Sequence, residues 1–204
     1  MGFTVNTFTH ILEGYKVADK MAKHGAGGST FSDWWAYKYE VNDAIPHNAA
    51  IMSKQGVIVA INSDDAEMGR RLNQEAAKSI KYGNLSEIDA LKMVTLNPAK
   101  LLHLDHRMGS IKVGKDADLV LWTNHPLSIY SRPFKTIVDG KVYYDLDEDK
   151  LLRNEIKAER ARIISKMKGD SIDNKSRRMP MRRIDIEFNC DDIIDYETLT
   201  KIEK

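Results

Sequence analysis

The chain has 204 residues, 42% of them hydrophobic and 30% charged, which suits a folded globular protein with a substantial core. A formal net charge of +1 argues against a whole-chain electrostatic footprint for nucleic acid, and no apolar run is long enough to span a membrane. The single cysteine, Cys190, excludes an internal disulfide and a thiolate metal cluster.

Residues 1–5 show no charged segment followed by an apolar one, as a signal peptide requires. A Met1 that is the true start implies a cytoplasmic protein, whereas a truncated start leaves secreted and periplasmic compartments open. Residues 3–8 read as a strand ending at Thr9-His10. Residues 12–23 carry Leu12, Tyr15, Val17, Ala18 and Met21 at roughly helical spacing, and the run Gly25-Ala26-Gly27-Gly28 ends that helix. A weak strand at 28–31 leads into an aromatic loop holding Trp34, Trp35, Tyr37 and Tyr39. A helix is expected at 48–55, closed by Gly56. The continuous apolar run Val57-Ile58-Val59-Ala60-Ile61 suits a parallel strand buried on both faces. Repeated β-α units of this kind build a parallel sheet, open or closed into a barrel.

Helices are expected next, at 66–81, at 86–94 behind the capping box Ser86-Glu87-Ile88-Asp89, and at Asn97-Pro98-Ala99. After Leu104 the character changes to short β segments at 110–113, 119–122, 136–138 and 141–144, with Asp139-Gly140 as a hairpin turn. Residues 147–168 read as an exposed or partly docked helix. Residues 169–204, basic at 175–183 and acidic at 185–203, read as a largely disordered tail with one strand at 184–188.

The chemistry-bearing candidates sit where strands end. Asn62-Ser63-Asp64-Asp65 directly follows the strongest strand, and side chains at the C-terminal ends of parallel strands face the ligand crevice. A carboxylate there suits a metal ligand or a general base; equally, Asp64 or Asp65 suits the cap of the following helix. His10 holds the equivalent place after the first strand, where it suits a Zn²⁺ ligand, a general acid or base, or a hydrogen-bonded junction residue. Trp34 and Trp35 suit the wall of an apolar substrate pocket or ordinary core packing. His24, His47, His103, His106 and His125 lie at helix ends, turns or the surface, where structural roles are commoner.

Several segments together carry a family resemblance. They are Thr9-His10-Ile11-Leu12-Glu13-Gly14-Tyr15-Lys16-Val17-Ala18-Asp19, Val59-Ala60-Ile61-Asn62-Ser63-Asp64-Asp65, Thr95-Leu96-Asn97-Pro98-Ala99, residues 109–122 and the 138–142 hairpin. In order and spacing they resemble the amidohydrolase superfamily, particularly its imidazolonepropionase-like branch. The resemblance implies an α/β chain forming strands six to eight of a (β/α)8 TIM barrel plus part of a small β-sandwich. On that mapping residues 1–104 are barrel, 105–146 a β-sandwich segment, 147–168 a helix and 169–204 a charged tail. Asp64 resembles the strand-eight aspartate, which binds metal and takes a proton from the attacking water. His10 resembles the strand-six histidine, a second-metal ligand or a polariser of the substrate carbonyl.

The implied function is hydrolysis of carbon–nitrogen bonds, in non-peptide or peptide substrates, by metal-activated water. The implied cofactor is a divalent metal, Zn²⁺ first, with Fe²⁺ or Mn²⁺ as alternatives. The implied partners are a small-molecule amide or peptide, not nucleic acid or membrane, with a homo-oligomer or an N-terminal half completing the chain. The sequence departs from the family in having no His-x-His pair and no strands one to five. This chain alone is therefore expected to be an incomplete, inactive fragment. The alternative is a non-catalytic remnant or a subunit that completes a barrel with a partner chain.

Overall fold

A computed structural model describes residues 3–36 and 38–173. Residues Met1–Asp149 form one compact unit and Lys150–Lys204 a second. The expected strand at 184–188 and most of the expected tail lie outside the described residues.

Three strands, β1 (Thr7–Phe8), β2 (Gly27–Thr30) and β3 (Val59–Ile61), form a parallel sheet in the order β1-β2-β3. Thr7 is in register with Gly27, and Gly28 with Val59. A 3₁₀ turn (Gly14–Val17) and helix α1 (Ala18–His24) link the first pair, and helix α2 (Asn48–Lys54) links the second. This is the β-α repeat that the apolar pattern predicts. The first strand is shorter than the expected 3–8: Asn6 gives the ladder only its carbonyl, which accepts from the Gly27 amide at 2.8 Å, and residues 3–5 have no partner strand among the described residues. The Val5 amide donates instead to His24 Nε2 at 3.1 Å, so His24 serves the chain entry rather than chemistry.

The glycine run has two uses. Gly25, at φ 84°, is the left-handed cap of α1. Gly27 lies in β2, where a Cβ would fall 2.2 Å from Leu101 Cδ2 and 3.1 Å from the Ile58 carbonyl, so only glycine fits unchanged.

Helices α3 (Ala66–Gly69), α4 (Leu72–Gly83), α5 (Glu87–Lys92) and α6 (Leu96–Leu101) follow. The single helix expected over 66–81 is thus two. Arg71 leaves helical geometry at φ −132°, and its carbonyl starts α4 by accepting from the Gln74 and Glu75 amides. The capping box holds: Ser86 Oγ accepts from the Asp89 amide at 3.0 Å. Asn97 does more than open a short helix. Its Nδ2 donates to the Val59 carbonyl at 2.7 Å, and the Ile61 amide donates to the Met93 carbonyl at 3.0 Å. These bonds occupy the side of β3 away from β2.

Met21, Met52, Val57, Val59, Ile61, Ala76, Ala90, Met93 and Leu127 form one core cluster. Met52 and Met93 are fully buried, and their unbranched side chains fit between the sheet and helices of irregular spacing.

Strands β4 (Leu119–Trp122), β5 (Pro133–Val138) and β6 (Lys141–Asp145) form an antiparallel sheet in the order β4-β5-β6. Asp139 and Gly140, at φ 49° and 75°, make the hairpin turn that their identities predict. The expected strand at 110–113 does not form: Ile111 and Val113 are fully exposed, with no neighbouring strand to pair with. Among the described residues the parallel strands do not close into a barrel, and the antiparallel strands form a single layer. In the second unit, helix α7 (Leu146–Asp173, beginning four residues before the unit boundary) runs longer than the expected 147–168.

Two polar networks fix the loops above the parallel sheet. Asn48 is buried; its Nδ2 donates to the Ile11 carbonyl at 2.8 Å and to Thr30 Oγ1 at 3.0 Å, and its Oδ1 accepts from the Tyr15 amide at 2.8 Å. It therefore ties the segment after β1 to the end of β2. Glu75, also buried, accepts from Ser32 Oγ and from Lys78 Nζ at 2.7 Å, and lies 3.4 Å from Arg71 Nε. Lys78 also donates to Asp33 at 2.9 Å. Burial works to raise the Asp33 pKa, but hydrogen bonding and charge attraction from Lys78 hold it below its ordinary value. Burial likewise pulls Lys78 down, and its bonds to Glu75 and Asp33 outweigh that and raise it.

Asn48→Ala should cost about 2–3 kcal/mol, because it strands three partners with little access to water; urea denaturation measures this. Lys78→Met should cost about 2 kcal/mol, since Glu75 stays buried with Arg71 as its remaining cation. The pH dependence follows from the lowered Asp33. Its contribution is complete above the ordinary aspartate range and is lost as pH falls through the lowered value. Lys78→Met removes the main cause of the lowering, so the acid-dependent loss due to Asp33 should shrink, as thermal melts across an acid series would show.

Candidate metal centre at the strand ends

β1 and β3 flank β2, so their axes lie about 9–10 Å apart by the usual strand spacing. Side chains from their C-terminal ends nevertheless meet. His10 Nε2 lies 3.3 Å from Asp64 Oδ1. Backbone geometry brings them together. His10 is left-handed at φ 53°, a conformation that non-glycine residues adopt rarely and that clusters at functional sites. Its ring stacks on Phe31 at 5.0 Å between centroids and 22° between planes, directly above the end of β2.

The alternatives for Asp64 and Asp65 separate cleanly. Asp65 is the helix cap, accepting from the Glu67 amide at 3.0 Å, and Ser63 Oγ bonds to both the Asp65 carbonyl and the Asp65 amide. Asp64 is thereby left to face His10. The side chains of His10 and Asp64 are 50% and 46% exposed, so the pair contributes little stability as an ion pair. Both keep donor atoms available to a third party. Asn62 supports the strand end: its backbone amide donates to the Thr30 carbonyl at 3.1 Å, and its Oδ1 accepts from Ser29 Oγ at 2.7 Å.

An imidazole nitrogen and a carboxylate oxygen 3.3 Å apart are of the donor types that Zn²⁺, Fe²⁺ or Mn²⁺ takes. Among the described residues no third His, Cys, Asp or Glu joins them. The two candidate tryptophans part company. Trp34 lies 5.0 Å from Phe31, and so belongs to the aromatic stack beneath His10. Trp35 meets Tyr82 of α4 edge-on at 5.4 Å, and His47 approaches that same ring at 6.3 Å. An open depression of about 730 Å³ runs beside the end of β3, bordered by Ile61, Asn62, Asp64, Val94 and Pro98.

Sequence reasoning missed Phe31 as the platform for His10 and Ser29 as the brace for Asn62. The strand pattern held a signal for both, since residues 29 and 31 alternate along the segment adjoining the candidate site. It also missed Glu75, which helical periodicity assigns to the surface of a charged helix.

Residues 40–144, just over half of the chain, match the model of the Amidohydrolase family. Amidohydrolase tasK of Hapsidospora irregularis is 30% identical over 148 residues, covering 70% of this chain and 15% of that protein. Imidazolonepropionase of Thermoplasma volcanium is 27% identical over 122 residues, covering 59% of this chain and 30% of that one. Among solved structures, an amidohydrolase from Thermotoga maritima superposes with a TM-score of 0.63 at 33% identity, over 68% of this chain and 37% of its own. The chain thus spans well under half the length of these relatives. With its mixed α/β architecture and matching sequence, this chain belongs to the amidohydrolase family.

Proposed function

We propose that this chain contributes strands six to eight of a metal-dependent hydrolase barrel acting on carbon–nitrogen bonds. The observation that carries the proposal is the convergence of His10 and Asp64 above β2, from the two strand ends that the family resemblance selects. The depression beside β3 supports it, because it leaves space open next to Asp64. The outer edge of β3 is taken by the Asn97 and Met93 bonds, whereas β1 pairs on one side only and is open to extension. Leu121 and Val142, on one face of the antiparallel sheet, are exposed enough to be covered by a second layer, which supports its reading as part of a β-sandwich.

A divalent metal held by His10, Asp64 and further ligands would supply Lewis acidity that lowers the pKa of water toward neutrality. Asp64 takes the proton of the attacking water and delivers it to the leaving nitrogen. His10, held by Phe31, either ligates or polarises the substrate carbonyl. Trp34, packed on Phe31, suits an apolar or ring-bearing substrate group. The motif spacing around His10 and Asp64 favours the imidazolonepropionase-like branch, with non-peptide or peptide carbon–nitrogen bonds as its substrates.

A second reading has an observation of its own: among the described residues no group of three or more His, Cys, Asp or Glu side chains could hold a metal ion. On that reading the chain is a subunit that becomes competent when another polypeptide completes the barrel. In the catalytically competent protein, Asp64→Asn should lower turnover by roughly a hundredfold or more while leaving the fold intact by circular dichroism. Unchanged turnover would refute the role of Asp64. Co-purification of a separate chain carrying a His-x-His pair would favour the subunit reading.

A further inference from the structure

We propose that α7 is a self-association helix that pairs antiparallel with α7 of a second copy, about a two-fold axis passing between Glu159 and Arg160. The helix is 28 residues long, about 42 Å at the usual rise. Its large apolar side chains are exposed, with Leu152 at 48%, Ile156 at 64%, Ile163 at 44% and Met167 at 65%. At 3.6 residues per turn these four fall within about 60° of one another, forming one narrow stripe along the helix.

Their order is palindromic. Leu152, Ile156, Ile163 and Met167 are spaced four, seven and four residues apart, centred between Glu159 and Arg160. A two-fold axis at that centre sets Leu152 against Met167 and Ile156 against Ile163 of the second copy. It sets Glu159 against Arg160, and by symmetry Arg160 against Glu159, as an isologous interface requires. The two central residues that interrupt the apolar stripe are therefore complementary to themselves in this pairing.

Charge along the helix points the same way. Residues 147–159 hold five carboxylates and three cations, whereas residues 160–168 hold four cations and no carboxylate. Antiparallel pairing lays the acidic half on the basic half, and parallel pairing lays like on like. Within its own helix Glu159 pairs with Arg162 at 2.7 Å, while Arg160 has no ion pair among the described residues and can serve the facing helix.

The test uses the full 204-residue chain and its variants E159R, R160E and E159R/R160E, with mass measured by light scattering. Wild type should be dimeric. Each single reversal should weaken self-association by at least roughly tenfold, because it sets like charges across the axis twice. An equimolar mixture of E159R and R160E should form a heterodimer, and the double variant should dimerise again. A monomeric wild type overturns the proposal, as it would if the chain itself covers the stripe. So do single variants that remain dimeric. A mixture that fails to combine overturns the antiparallel register.

Discussion

Everything proposed for the site depends on one constraint, the parallel register of three short strands with glycine at the centre. Gly27 lets β2 lie against Leu101 and the Ile58 carbonyl, and Gly28 is in register with Val59. That spacing places the ends of β1 and β3 on either side of Phe31. Side-chain reach then does the rest, with His10 leaning across the Phe31 ring to within 3.3 Å of Asp64. Asn48, by holding both the Ile11 carbonyl and Thr30 Oγ1, keeps the His10 turn at a fixed distance from the end of β2. The approach of His10 to Asp64 is thus a consequence of sheet register and one buried amide.

Local chemistry was legible where it was self-sufficient. Ser86 caps its helix, Gly25 ends α1, and Asp139-Gly140 turns its hairpin, because each depends on the residue's own backbone preference or hydrogen bond. The apolar run before Asn62 was legible for the same reason, although β3 proves shorter than the run. What depended on a partner was not. Residues 3–5 and 110–113 have strand-forming composition, yet a strand exists only when another pairs with it. Arg71 breaks the helix expected over 66–81 by a backbone choice that periodicity does not encode. Glu75 was not singled out because a buried carboxylate is tolerated only with partners, here Lys78 and Arg71 beside it in sequence and Ser32 from a distant loop.

The site itself was half legible. The strand-end rule picks out His10 and Asp64 from sequence, and the structure brings both to one point. The rule cannot say which of Asp64 and Asp65 caps the following helix. The hydrogen bond from the Glu67 amide decides that for Asp65. Nor does it separate Trp34 from Trp35. That choice is made by Phe31 on one side and Tyr82 on the other. The chain belongs to the amidohydrolase family and spans well under half the length of the relatives it matches.

The most direct measurement is a Co²⁺ titration of this chain followed through the histidine ring protons by NMR, on wild type and on Asp64→Asn. If His10 and Asp64 form one half of a metal centre, millimolar Co²⁺ should shift and broaden the His10 signals first among the histidines. Asp64→Asn should weaken that response by about tenfold, the loss of one charged ligand. A His10 ring that ignores Co²⁺, or that responds equally without the Asp64 carboxylate, would contradict the shared site.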